Sequence, residues 1–422
     1  MRPLKHVPTA VEAAFRALQF EKRETLTLSR LSDPEWRQVL DYCDRMHLTL
    51  ALARDRSEFP GWVRARMEQA VSSNAARFER MKAVYCQAED RLAQAGIEFL
   101  VLKGFTHVPR FVSDVRLRVQ YDIDLFCPRD SVVQARDELI RLGYEPLHGF
   151  DQFPIDHLPA LIRKTGWEWT GDFFDPEIPP RFELHYQFWD SSTERLELKG
   201  VDQFWKRRVV RDLEGMRFAT LDSVDALGYA ALHALRHLLR GDLRTGHVYE
   251  VASFLFGASG DEKFWRDWRA LHDESLRTLE CLVFALAADW FSCALNPAVQ
   301  RQIAGLPSGV KQWIAERGTA PIEATFRPNK HELWLHLSLL QSRRDRAAVI
   351  RRRLFPLRMP GQVDAVHVPD DRMTLRRRAL QQARYLRYVA SRFTHHAGVL
   401  IPTLWNGVRW WWRSSIETTS FR

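Results

Sequence analysis

Two carboxylates, Asp122 and Asp124, stand two residues apart in the run Val119-Gln120-Tyr121-Asp122-Ile123-Asp124-Leu125-Phe126. In an extended strand, side chains at i and i+2 point to the same side. Asp122 and Asp124 then share one face, and Ile123 and Leu125 share the other. Glu183 lies 59 residues after Asp124, in Phe182-Glu183-Leu184-His185-Tyr186. The same spacing sets Glu183 and His185 on one face and Phe182, Leu184 and Tyr186 on the opposite one. Three carboxylates on one sheet face repel one another unless a cation sits between them. Hard oxygen donors beside a phosphate suit Mg²⁺, with Mn²⁺ as its substitute. This is the outline of a metal-dependent nucleotidyl transfer site, in which metal ions neutralise the attacking and leaving oxygens.

Two acids in a strand can also be a solvated face. Here their neighbours are apolar, and polar groups inside a buried strand need partners. Lys103-Gly104 closes an earlier apolar run, Phe99-Leu100-Val101-Leu102. Glycine permits close backbone approach, and a helix N-terminus following it would favour phosphate. Such a turn is common alone; its weight comes from the paired acids about twenty residues downstream. For His185 the readings are orientation of a carboxylate, phosphate binding, acid/base work or a structural hydrogen bond. His233 and His237 have the i, i+4 spacing of a metal pair, but Ala-Leu-Arg between them is no HExxH motif. They read first as ordinary helix-face histidines, and second as part of a helix turning His237 or Arg240 to a ligand. Sequence alone gives no role to Arg244, His247 or Glu250.

The elements that must position these groups follow from periodicity and punctuation. Residues 11–95 read as helices, with Asp33-Pro34-Glu35 as a start and Gly96 as the stop. Residues 97–102 and 119–126 read as strands, 128–142 as a helix closed by Gly143, and 144–147 as a short edge strand. A helix-like piece falls within 149–170, a loop within 172–180 and a strand at 181–189. Asp222-Ser223-Val224-Asp225 opens a second helical region reaching about residue 340, with loops near 257–261 and 306–309. Beyond it come a Pro/Gly-interrupted segment at 355–369, a helix at 372–394 and an aromatic end at 401–413.

At 422 residues the chain exceeds the usual size of one hydrophobic core. Its charge is uneven: from Gln341 onward there are 17 Arg, no Lys and 5 acids, so the remainder carries about −3 of the total +9. A basic tail, not a basic protein, explains the high isoelectric point. Five scattered cysteines without a CxxC pair fit reduced thiols in the cytoplasm. The N-terminal residues lack the apolar stretch of a signal peptide, and no run of apolar residues is long enough for a spanning helix. The tail mixes Arg with aromatics at 384–413. Packing on the protein's own body or a partner is the first reading. Peripheral contact with the inner face of a membrane is the second, and nucleic acid the third.

Leu102-Lys103-Gly104, Arg118-Val119-Gln120-Tyr121-Asp122-Ile123-Asp124-Leu125 and Glu183-Leu184-His185 together resemble an uncharacterised nucleotidyltransferase family of the DNA polymerase β-like superfamily. The helical regions on both sides and the basic Arg353-Leu354-Phe355-Pro356 segment are similar as well. The resemblance implies an α/β (α+β) fold, with a small mixed sheet between N- and C-terminal helical subdomains. Boundaries are expected at 1–95, 96–215, 216–340 and 341–422. It implies Asp122, Asp124 and Glu183 as catalytic metal ligands for Mg²⁺ or Mn²⁺. Lys103, Gly104, Arg118 and His185 would contact an NTP, with Arg118 on a phosphate or on an Asp carboxylate. The acceptor is open. Phe105 follows Gly104 where the superfamily has a small residue, which supports an alternative: a nucleotide-binding regulator without transfer activity. A membrane-surface component of polysaccharide assembly is a further alternative.

Overall fold

A computed structural model describes residues 4–147, 156–355 and 374–419, through the backbone alone at 55–57, 395 and 409–419. Seven strands build one mixed sheet: β1 (Leu100–Val101), β2 (Asp122–Phe126), β3 (Glu145–Pro146), β4 (Leu161–Ile162), β5 (Arg181–His185), β6 (Val209–Leu213) and β7 (Met216–Thr220). Their order is β3-β4-β5-β2-β1-β7-β6. The pair carrying the acids, β2 and β5, lies at the centre and runs parallel.

Alternation decides which way this sheet faces. Ile123, Leu125, Phe182 and Leu184 are buried on one side. They pack on helix Gly61–Gln94 through Phe78, Met81, Tyr85, Ala88 and Leu92, a stripe at helical spacing, and on Val132, Ala135 and Leu139 of helix Val132–Arg141. The acidic side looks instead toward helix Ser223–Arg240, which supplies His233 and Arg236 to it. That helix belongs to the larger core, where helices from both ends of the chain meet, among them Thr9–Ala17, Asp33–Met46, Thr245–Gly257 and Glu274–Phe291.

Helix starts follow their capping chemistry. Ser32, not Asp33, caps Asp33–Met46: its backbone N–H and its hydroxyl both donate to Glu35 in a capping box. Asp222 caps Ser223–Arg240 by accepting from the Val224 N–H. The strands expected at 97–102, 119–126 and 181–189 shorten to β1, β2 and β5. Of the span 149–170 expected to contain a helix-like piece, residues 149–155 lie outside the described residues, and the described rest holds β4 in irregular chain. The hairpin β6–β7 was not expected, and it carries the sheet to Thr220, beyond the boundary at 215. Its turn, Glu214-Gly215, has positive φ at both residues, a conformation usually signalled by Asn-Gly or Asp-Gly.

In the tail, most of the interrupted segment at 355–369 lies outside the described residues. The helix and the aromatic end expected separately form one helix, Leu375–Thr419, with Pro402 inside it. Among the described residues, Val399, Thr403 and Gly407 are its buried ones. A Cβ on Gly407 would run into the Trp334 ring. Trp405 is exposed. The side chains of Trp410, Trp411 and Trp412 lie outside the described residues. All five cysteines are free thiols, and among the described residues no helix is long and apolar enough to cross a membrane.

Candidate active site

Parallel pairing of β2 with β5 places Asp122 beside Arg181, Asp124 beside Glu183 and Phe126 beside His185. The two dipeptide-spaced motifs thus become neighbours on one face. Ligand atoms of Asp124, Glu183 and His185 lie within 4.8 Å of one another. The His185 Nε2 is 3.2 Å from Asp124 Oδ1 and 3.7 Å from Glu183 Oε2. Its Nδ1 is 3.5 Å from Asp156 Oδ2, and Asp156 is paired with the Arg236 guanidinium. From the other side, Lys103 Nζ stands 2.8 Å from Asp124 Oδ1. Three acids and three cations therefore alternate through a buried patch.

That alternation sets the protonation states. Burial, then the charge of Glu183, pushes the Asp122 carboxyl up to about 7. Burial would raise Asp124 too, but Lys103 and His185 outweigh it and hold Asp124 below the usual carboxylate range. Glu183 and Asp156 lie well below that range against their burial: a hydrogen bond from His185 lowers Glu183, and Arg236 lowers Asp156. Burial would lower His185, yet its contacts with Asp124, Asp156 and Glu183 raise it to about 10.

Gly104 has φ +74° and lies against Gln120, whose side-chain amide a Cβ would run into. That amide donates to the Asp122 carbonyl at 2.9 Å, so the close approach braces the start of β2. The element after Lys103 is a single 3-10 turn, Gly104–His107, and not the helix expected there. A turn this short offers no developed dipole, which leaves Lys103's ammonium as the local cation. Phe105 is fully buried against Tyr85 and Phe218, with ring centroids at 5.2 and 5.0 Å. It is a core residue and does not point at the acids. Arg118 pairs with Glu250, Nε to Oε1 at 2.9 Å, and His107 Nδ1 approaches the other oxygen at 2.8 Å. Burial opposes ionisation of Glu250, but Arg118 and His107 bring it down to about 2. Glu250, unassigned from sequence, thus anchors helix Thr245–Gly257 to the chain entering β2.

A cavity of about 750 Å³ opens beside Asp122. Tyr121, Trp167, Trp169, Phe173, Arg181 and Arg244 line it, and Arg377, Leu380 and Arg384 of the tail helix face it. Arg377 holds Glu168 at 2.9 Å across this space. Sequence reasoning missed Asp156 and Arg236, and read His233 first as an ordinary helix-face histidine, whereas its Nε2 stands 3.1 Å from Lys103 Nζ. Asp156 and Arg236 sit in a loop and on a helix with no motif of their own, and only folding brings them to the acids.

A family model described as uncharacterised nucleotidyltransferase matches residues 32–292, more than half of the chain. No curated protein and no solved structure matches the chain.

Proposed function

The chain belongs to the uncharacterised nucleotidyltransferase family, and from that premise we propose that it transfers a nucleoside monophosphate from an NTP to an acceptor hydroxyl or phosphate with Mg²⁺. The observation that carries this reading is the convergence of Asp124, Glu183 and His185 beside Asp122, at the edge of an aromatic and cationic cavity. The donor set fits the ion, since carboxylate oxygens suit Mg²⁺ or Mn²⁺. Asp122, Asp124 and Glu183 would hold it, and when bound it supplies positive charge to the phosphate oxygens. The protein's own groups do the rest. Lys103 lies within reach of both the acids and a phosphate placed against them. His185 keeps Asp124 and Glu183 ionised and in place. Arg181 and Arg244 offer charge to a triphosphate. Trp167 and Trp169 offer faces on which a base can stack. Phe105 is committed to the core, so its ring does not enter the site, and phosphate binding at this turn falls to Lys103.

The test is calorimetric titration of each of the four NTPs with Mg²⁺, on the wild type and on an Asp122→Ala/Asp124→Ala variant. Binding of one NTP that needs the ion and vanishes in the variant is the expected result. Folded wild-type protein that binds none of them overturns the proposal.

The tail adds a second feature to this reading. Leu375, Leu386, Phe393, Ile401, Leu404 and Val408 fall on one face of helix Leu375–Thr419 and are 45–83% exposed. Exposed arginines, including Arg376, Arg378 and Arg387, flank that face. An apolar stripe bordered by cations suits the interface of an anionic membrane. The enzyme would then act at such a surface.

A further inference from the structure

The Lys103 ammonium that meets Asp124 also meets His233, where three imidazoles converge from two helices. His233 and His237 stand one turn apart on Ser223–Arg240, and His247 comes from Thr245–Gly257. Their ring centroids are 4.6, 4.8 and 5.4 Å apart. One ring nitrogen from each lies within 4.8 Å of the other two.

Counting protons among these rings leaves a deficit. Lys103 Nζ is 3.1 Å from His233 Nε2. An ammonium only donates, so His233 presents a lone pair at that nitrogen. His237 Nδ1 is 3.1 Å from Asp242 Oδ1. A carboxylate only accepts, so Nδ1 carries the proton, and the Nε2 of a neutral ring is again a lone pair. Burial pushes all three imidazoles below their ordinary value, and the Lys103 charge adds to this. The two lone pairs face each other across 3.2 Å. His247 Nδ1 is buried and has no hydrogen-bond partner among the described residues. Buried acceptors without donors are costly and call for an explanation.

We propose that His233, His237 and His247 bind a divalent transition-metal ion of the Zn²⁺ type. A tetrahedral site with bonds of about 2.0–2.1 Å has ligand nitrogens about 3.3 Å apart, close to the spacing of the two Nε2 atoms. Imidazole donors select Zn²⁺ and its neighbours over Mg²⁺, so this site and the carboxylate site choose different ions. Asp242 behind His237 gives the carboxylate support that metal-bound histidines receive. The His237 side chain is 28% exposed and opens a path from solvent. Bound there, the ion takes the lone pair that Lys103 contacts on His233 and leaves the ammonium to Asp124. It also ties helix Ser223–Arg240 to Thr245–Gly257, beside the end of β1.

The experiment uses the full chain, dialysed against a chelator and titrated with Zn²⁺ alone by calorimetry. Co²⁺ in its place is followed by visible absorption. The set is wild type, His237→Gln, His247→Gln, Asp242→Asn and Asp122→Ala/Asp124→Ala. One ion per wild-type chain with a tetrahedral Co²⁺ spectrum is expected. Affinity falls about 100-fold in the histidine variants and about tenfold in Asp242→Asn, while the double aspartate variant still binds one ion with the tetrahedral Co²⁺ spectrum. Asp242 is exposed, so its variant keeps the test decisive if a histidine variant misfolds. Absence of Zn²⁺ binding by wild type overturns the proposal. So does binding that survives His237→Gln and Asp242→Asn undiminished, or that is lost only with the aspartates. None of these readings depends on NTP binding, so the two sites stand or fall separately.

Discussion

Gly104 and Gly215 both have positive φ, +74° and +79°, but only Gly104 has a neighbour in the way. At Gly215 nothing lies within 4 Å of a Cβ, so Gly215→Ala carries the backbone cost alone, about 1–2 kcal/mol. Gly104→Ala adds displacement of Gln120, and with it the hydrogen bond to the Asp122 carbonyl. Its loss of stability is therefore expected to exceed that of Gly215→Ala by at least about 1 kcal/mol in urea unfolding, with weakened NTP binding besides. Equal losses would show that Gln120 gives way freely. Arg236 is the second decisive residue, since it is the guanidinium against the buried Asp156. Arg236→Met leaves that carboxylate with His185 alone, 3.5 Å away, and is expected to cost about 3 kcal/mol, read as a lower urea midpoint. At this scale Asp122, Asp124, Glu183 and His185 were legible, because i, i+2 spacing in apolar strands has few explanations. Asp156, Arg236 and Glu250 were not, because a single polar residue in a loop or helix carries no period and finds its partner only in three dimensions.

Where three helices cross, the elements are held by a buried charge cluster that resembles the active site in composition but stands apart from it. His272 follows helix Glu262–Leu271, with Nε2 3.1 Å from Asp225 Oδ1 and Nδ1 2.7 Å from Glu280 Oε1. Asp225 also takes Arg207, and Glu280 accepts from the Trp268 indole. Gly228 makes the crossing possible: a Cβ there would lie 2.6 Å from Glu280 Oε1 and 2.7 Å from the His272 ring. Burial would lower His272, but Glu280 and Asp225 raise it to about 9. The unfolded value is about 6.5. A raised histidine stabilises fully below its unfolded pKa, and the contribution is lost as pH rises through the folded one. Stability should therefore fall between about pH 6.5 and 9, by up to about 3 kcal/mol, and His272→Gln should flatten the curve in that window. Urea midpoints measured from pH 6 to 10 on both proteins check this, and parallel curves would mean the imidazole is neutral. Helix starts such as Asp222 were legible from capping chemistry. The crossing was not, since apolar periodicity says which face is buried but not against which helix, and the β6–β7 hairpin was hidden by a Glu-Gly turn.

For the whole molecule, the distribution of charge and apolar surface separates a nearly neutral body from a basic tail. The body's helices share one core across both ends of the chain, while among the described residues of helix Leu375–Thr419 the buried ones are Val399, Thr403 and Gly407. The sequence showed the excess of arginine there but not the exposed stripe, because the helix it suggested stopped before Ile401 and Leu404. With the helix continuous, Phe393 and Ile401 sit two turns apart on the same exposed face. Each arginine near an anionic surface contributes about 1 kcal/mol, and this term is screened by salt, whereas apolar insertion is not. The full chain is expected to co-sediment with vesicles containing anionic lipid, to bind neutral vesicles more weakly, and to lose part of its binding in high salt. Phe393→Glu/Ile401→Glu should abolish binding and leave the melting temperature unchanged, since both side chains are exposed. Equal vesicle binding by wild type and variant would remove the membrane reading. If only the wild type then sedimented as a dimer, the stripe would instead be a contact between two copies of the chain.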